Sequence, residues 1–212
     1  MRGMPNESSR KPRSDALHNR RRILDSAQAA FLESGIEVSM TRIARRAGLG
    51  IATLYRHFPD RGSLVNEVFR GKLDTCLARL YEAAADPDPW RGFRAFIEDL
   101  CVMQVTDRGF NEVFRAAFVG GVIFDEQRIQ AENIFAELAR RAKAAGRLRA
   151  DFVRDDLTLV IMANSGISAD TEEDAVAASR RLAAYLIRAF EAAPDHRALP
   201  PVPRLGPHPV LR

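Results

Sequence analysis

The 212 residues are 46% hydrophobic with a formal net charge of +4, enough apolar material for a packed core and unlike the composition of a disordered chain. No run of about 18 apolar residues occurs and the arginine-rich start lacks a hydrophobic signal core, so neither membrane insertion nor secretion is expected, and the cytoplasm is the expected location. Only Cys76 and Cys101 are present, with no Cys-x-x-Cys and no His set at metal-ligand spacing, which argues against a zinc site or a disulfide framework and leaves two reduced thiols or a redox pair.

Residues 1–16 are rich in Arg, Ser and Pro and read as a disordered basic arm. Its Arg10, Lys11 and Arg13 suit either a solvated tail or insertion into a minor groove. A first helix is predicted from Leu17 to Ser34, burying Ile23, Leu24, Ala27, Ala30 and Phe31 and closed by Gly35. Arg20, Arg21 and Arg22 near its start read equally well as phosphate contacts or as a solvated face.

The next stretch, 39–58, is SMTRIARRAGLGIATLYRHF. Ser39 is placed to cap a short helix from about Met40 to Ala47, with Ile43, Ala44 and Ala47 on one face and Arg42, Arg45 and Arg46 on the other. Gly48 supplies the left-handed residue of a tight turn. A second short helix from about Gly50 to His57 buries Leu54, with Phe58 one turn on, and leaves Ile51, Ala52, Thr53, Tyr55, Arg56 and His57 outward. Small, hydroxylated, aromatic and cationic groups on one short helix suit a major groove, and Arg56 is the candidate for bidentate reading of guanine. Charge points the same way: residues 1–72 hold 14 Lys and Arg against 7 Asp and Glu, the remainder 18 against 21, so a basic N-terminal third precedes a slightly acidic body.

From about Arg20 to Arg70 the chain resembles the DNA-binding domain of TetR/AcrR-family transcriptional regulators. The resemblance rests on RRRILDSAQAAFLESG, then SMTRIARRAG, then GIATLYRHFPDRGSLVNEVF, in that order. It implies DNA contacts by Thr53, Tyr55, Arg56 and His57 of the recognition helix, with Ser39, Thr41, Arg42, Ile51 and Ala52 in the same surface, and a phosphate contact by Arg61 at the start of a fourth helix whose N-terminus favours anions. At Gly50-Ile51-Ala52 the family more often has Ser-Lys-Gly. Ile51 cannot pair with a phosphate and points instead to an apolar contact such as a thymine methyl.

That fourth helix is predicted from about Arg61 to Ala84, with Leu64, Val68, Leu73, Leu77 and Leu80 at helical spacing, and Asp86-Pro87-Asp88-Pro89 breaks it. Helical patterns follow at Trp90–Val105, Phe110–Phe118, Asp125–Ala145, Asp155–Ser168 and Glu172–Ala192, without an alternating strand set, so the expected fold class is all-α. The expected organisation is a helix-turn-helix domain over 17–60, a larger helical domain over 61–193 and a Pro-rich disordered tail over 194–212 that holds six of the 11 prolines.

Aromatic residues concentrate in the middle of the chain. The family's central helices enclose a ligand cavity, so the resemblance makes Trp90, Phe93, Phe96, Met103, Phe110, Phe114 and Phe118, with Phe124 nearby, candidates for contact with an apolar or aromatic effector; an ordinary packed core explains the same residues. Gln104, Asn111, Arg115 and Asn164 are candidate polar groups. Leu157, Val160, Ile161, Leu182, Tyr185, Leu186, Ala189 and Phe190 recur at helical spacing in the last two helices, which the resemblance makes a four-helix homodimer interface, against packing within one subunit. Gly166 either permits close helix approach or ends its helix.

No cofactor or metal is implied. His18, His57, His196 and His208 lie in or near the arm, on the recognition helix or in the tail, away from any paired nucleophile, and no Gly-rich phosphate loop occurs, which argues against an enzyme. The expected function is DNA-binding transcriptional regulation by a ligand-released homodimeric repressor on a near-palindromic operator. An activator, a ligand-independent regulator and a helical interaction module without DNA binding stand as alternatives.

Overall fold

The structure, a computed structural model, describes residues 10–107, 109–111, 114, 125–193 and 197–201. Residues 1–9 of the arm, Arg115, Phe118, Phe124 and most of the Pro-rich tail lie outside these. Within the described residues the chain is all-α: α1 (Arg10–Ser34), α2 (Met40–Arg46), α3 (Ile51–His57), α4 (Arg61–Ala85), α5 (Pro89–Thr106), α6 (Asp125–Ala144), α7 (Arg154–Ser165) and α8 (Glu172–Phe190). Residues 109–111 and 114 are also helical, and one isolated bridge pairs Leu148 with Glu191. No helix among the described residues is long and apolar enough to cross a membrane.

Two compact units divide at Val68 and Phe69, inside α4. In the first, α1 packs on α2 and α2 on α3. The α1 helix begins at Arg10 rather than Leu17. Its inward stripe is Ile23, Ala27, Ala30 and Phe31, while Leu24, expected inside, is half-buried because it lies beside the stripe rather than in it.

In the second unit α5 packs against α6, α7 and α8, and α7 against α8. The Pro-Asp-Pro break works as a cap: Asp88 accepts from the backbone N–H of Trp90 and Arg91, and Pro89 fills the first position, where no N–H is needed. Gly92 lies against the end of α4, where a Cβ would fall 2.1 Å from the Ala83 carbonyl oxygen. Around Phe93 the core is aromatic: Trp90 stacks at 5.6 Å, and Phe135, Phe152 and Phe190 lie at 5.6, 5.3 and 6.4 Å, tilted or edge-on as ring quadrupoles prefer. Gly166 caps the end of α7.

Candidate nucleic-acid interface and central cavity

The α2–α3 unit is held by its own sequence chemistry. Ser39 is extended, and its Oγ accepts from the Arg42 N–H at 3.3 Å, so its hydroxyl satisfies a first-turn donor. Gly48 at φ +64° closes α2, with its N–H donating to Arg45 and the Leu49 N–H donating to Ala44. Gly50 precedes α3 without a side-chain cap, leaving α3 dependent on burial. Ile43 and Leu54 have no exposed surface, and Ala44, Ala47 and Phe58 close the core between the helices.

Three arginines near this turn have structural partners. Arg22 donates from Nη2 to the Ala47 carbonyl at 2.6 Å. Arg20 reaches the His57 carbonyl at 3.5 Å, pairs with Glu67 at 3.0 Å and lies over the Phe58 ring at 4.6 Å. Arg20 and Arg22 thus tie α1 to the ends of α2 and α3, a role outside the two readings offered for them, and Arg21 is exposed. Arg46 forms a bidentate pair with Glu33 at 2.6 and 2.8 Å, which lowers the Glu33 pKa and raises that of Arg46.

On the outer face of α3, Ile51 is 38% and Tyr55 47% exposed, Ala52 and Arg56 are exposed, and Thr53 and His57 are half-buried. Arg56 Nη2 donates to Thr53 Oγ1 at 3.0 Å, extending the guanidinium along the helix surface. Thr41 and Arg42 are exposed on α2. Arg61 pairs with Glu37. The start of α4 is less open to an external anion than expected, because the Asp60 carboxylate already accepts from the Ser63 N–H at 2.7 Å while Ser63 Oγ accepts from the Asp60 N–H at 3.4 Å. This reciprocal cap has the side chains of a capping box, and Asp60 was passed over in the sequence.

The second unit holds a cleft of about 750 Å³ including its open mouth. Its walls come from Leu73, Cys76, Leu77 and Leu80 of α4, Phe96 of α5, Ala131 and Phe135 of α6, Leu157 and Ile161 of α7, and Phe114 from the stretch between α5 and α6. Gln127, Arg128, Glu132, Arg154 and Thr158 complete the lining. Burial alone pushes the Cys76 thiol up to about 12, so it is an uncharged part of the wall.

The expected ligand contacts separate accordingly. Phe96 and Phe114 line the cleft, Trp90 and Phe93 belong to the aromatic core, and Met103 and Phe110 border a second hollow beside the Lys72–Asp107 ion pair. Asn164 has no exposed surface. It donates to the Cys101 carbonyl at 2.8 Å and to Gln104 Oε1 at 3.1 Å, and accepts from Ser179 at 2.8 Å, while Gln104 donates to Asn111 at 3.0 Å. These polar groups bind one another instead of facing the cleft.

The expected interface residues also divide. Val160, Ile161 and Phe190 are buried within the chain, and Leu157 and Ile161 line the cleft, whereas Tyr185 and Ala189 are exposed and Leu182 and Leu186 half-buried. Leu159 and Met162 are each 43% exposed on α7. Helical spacing selects the most apolar face, and on α7 that face points inward.

A two-helix unit with a buried core that presents Arg56 beside Ile51 and Tyr55, followed by a helical domain with its own cleft, has the arrangement of the helix-turn-helix DNA-binding class. Residues 23–68 match the family described as bacterial regulatory proteins, tetR family. An HTH-type transcriptional regulator of Staphylococcus aureus (strain bovine RF122 / ET3-1) is 41% identical over 75 residues, 35% of this chain and 40% of that protein, so the likeness spans well under half of the relative. The fold extends further: a TetR transcriptional regulator from Streptomyces coelicolor has a TM-score of 0.50 at 26% identity over 82% of this chain and 98% of that one. A candidate TetR-family regulator from Shewanella sp. PV-4 has a TM-score of 0.60 at 20% identity, covering 82% and 99%. Residues 23–68 thus carry the DNA-binding region of the tetR family of bacterial regulatory proteins, and the rest of the chain shares the fold of solved TetR regulators.

Proposed function

We propose that this chain regulates transcription in the cytoplasm as a homodimeric repressor that leaves its operator when a small molecule occupies the α4–α7 cleft. The observation that carries the DNA-binding part is the outward face of α3, where Ile51, Tyr55 and Arg56 stay exposed while Leu54 has no exposed surface. A monomer has no folding reason to leave an apolar and an aromatic side chain together on a seven-residue helix, whereas a major groove offers base edges and thymine methyls to them. Arg56 reads a base, Thr53 and His57 support it, and Thr41, Arg42 and Arg61 hold backbone phosphates.

A two-fold dimer formed through the open faces of α7 and α8 presents two such helices, so the operator is near-palindromic with half-sites about 34 Å apart per helical turn. Bound at a promoter, the dimer blocks polymerase. Release requires an effector that binds better to the conformation with misplaced recognition helices. The α4 helix supplies both Arg61 and the cleft residues Leu73, Cys76, Leu77 and Leu80, so a ligand that shifts its cleft-lining part has a covalent route to Arg61.

Fluorescence anisotropy of the full chain on its upstream DNA and on a scrambled duplex, at two salt concentrations near the physiological value, tests this. Tighter, salt-sensitive binding to the upstream duplex supports the proposal. Equal binding to both, with no operator emerging from random-sequence selection, refutes it.

A further inference from the structure

Resting on the reading of the cleft as the effector site, we propose that it takes an uncharged, mainly apolar molecule and that Glu132 is the residue that sets this charge preference. The walls are hydrocarbon except at one side, where the charged groups engage one another. Arg128 donates to Glu132 Oε1 at 2.9 Å and Arg154 to Oε2 at 2.9 Å, so each carboxylate oxygen already accepts a guanidinium. Arg154 also lies 3.8 Å from Asp155. Among the described residues the cluster thus sets two guanidiniums against two carboxylates, with Arg128 only 6% exposed.

An ammonium ligand in this space meets a carboxylate whose charge two guanidiniums already offset, and a carboxylate ligand meets guanidiniums whose charge Glu132 and Asp155 already offset; either way the ligand's charge is desolvated for less than the return of an unshared ion pair. A neutral molecule leaves the cluster intact and gains from covering apolar wall. The neutral Gln127 and Thr158 are suited to orient one hydroxyl or carbonyl on it. Arg128 and Glu132 stand four residues apart on α6, a spacing that is common on exposed helix faces and does not mark this role in the sequence.

The test is competitive displacement of the neutral fluorophore N-phenylnaphthylamine from the full-length protein by decanol, decanoate and decylamine, congeners that differ in charge. Decanol is expected to displace it at about tenfold lower concentration than either ion. Glu132→Gln, close in shape, removes one negative charge and should move the preference toward decanoate by about tenfold; Arg154→Met, at the more exposed edge, should move it toward decylamine. Two opposite shifts keep the result readable if one variant folds poorly. A wild-type preference for either ion, or ratios unchanged in both variants, overturns the charge inference while the cleft stands. Displaceable binding that survives Ala131→Trp, or no binding at all, overturns the cleft reading and the inference with it.

Discussion

Arg22 and Gly48 meet at the turn between α2 and α3: the guanidinium donates to the Ala47 carbonyl at 2.6 Å, and a Cβ on Gly48 would come within 2.7 Å of its Nη2. The turn has positive φ at 64°, so glycine is required there both by the backbone and by the arginine that crosses it. The arginine supplies a partner to a carbonyl that ends α2, where helices leave acceptors unpaired.

Gly48→Ala should therefore cost about 1 to 2 kcal/mol from the left-handed backbone, and the arginine has to swing aside as well. The check is urea unfolding of the full chain followed by circular dichroism. Because the Arg22 side chain is flexible, Arg22→Ala combined with Gly48→Ala should lose less than the sum of the single changes; strict additivity would mean that the two residues do not interact.

Arg56→Ala should weaken binding to the cognate operator by about 1 to 3 kcal/mol and relax preference at one base pair, leaving random DNA nearly unaffected. Anisotropy on an operator series with single base changes measures this. Equal loss on random and cognate duplexes would assign Arg56 to the backbone instead.

Glu37 holds Arg61 in the DNA-free chain, so a phosphate has to displace it. Glu37→Gln should tighten binding to every duplex by up to about fivefold per half-site, the worth of an exposed ion pair, whereas Arg61→Ala should weaken all sequences and lower the salt slope by about one. In an Arg61→Ala background Glu37→Gln should do little. Undiminished tightening there would show Glu37 acting as a long-range charge and not through Arg61.

What could be read in the chain was whatever local chemistry dictates. Ser39, Gly48 and Pro89 mark helix ends because caps and φ limits act within a few residues, and the α2–α3 core follows from Ile43, Ala44 and Leu54 at helical spacing. What escaped depends on partners far along the chain. Nothing near Arg22 announces a carbonyl 25 positions away, and Phe93 and Phe96 look alike in sequence although one packs against Phe152 and Phe190 while the other reaches the cleft. Gly92 went unnoticed for the same reason, its neighbour being the backbone of α4.

Burial pushes the thiols of Cys76 and Cys101 up to about 12, with Glu98 adding to the effect at Cys101. An unfolded thiol ionises near pH ~8.5, so the folded state binds protons that the unfolded state has lost. The stability that these thiols contribute is complete below about pH 8.5 and falls as pH rises toward 12. Denaturant midpoints between about pH 8 and 10 should drop more steeply for the natural chain than for Cys76→Ala/Cys101→Ala, and parallel curves would show the thiols ionising freely in the fold. Neither thiol should react with a disulfide reagent at neutral pH before unfolding.

The proposed dimer surface, the outward faces of α7 and α8, can be tested separately from folding. Met162 and Tyr185 are exposed, whereas Ile161, next to Met162, is 1% exposed and lines the cleft. If the dimer forms through the open faces, Met162→Glu buries a charge at the interface and should convert the dimer to a monomer with its melting temperature measured as a monomer still cooperative. Ile161→Ala should instead lower stability by about 2 to 4 kcal/mol through a core cavity while the mass stays dimeric. Sedimentation velocity with parallel unfolding curves reads both quantities. An unchanged mass for Met162→Glu and for Tyr185→Glu would remove this surface as the interface, and a monomeric Ile161→Ala of normal stability would reverse the assignment of the two faces, since a side chain packed inside one subunit has no direct contact to lose with another.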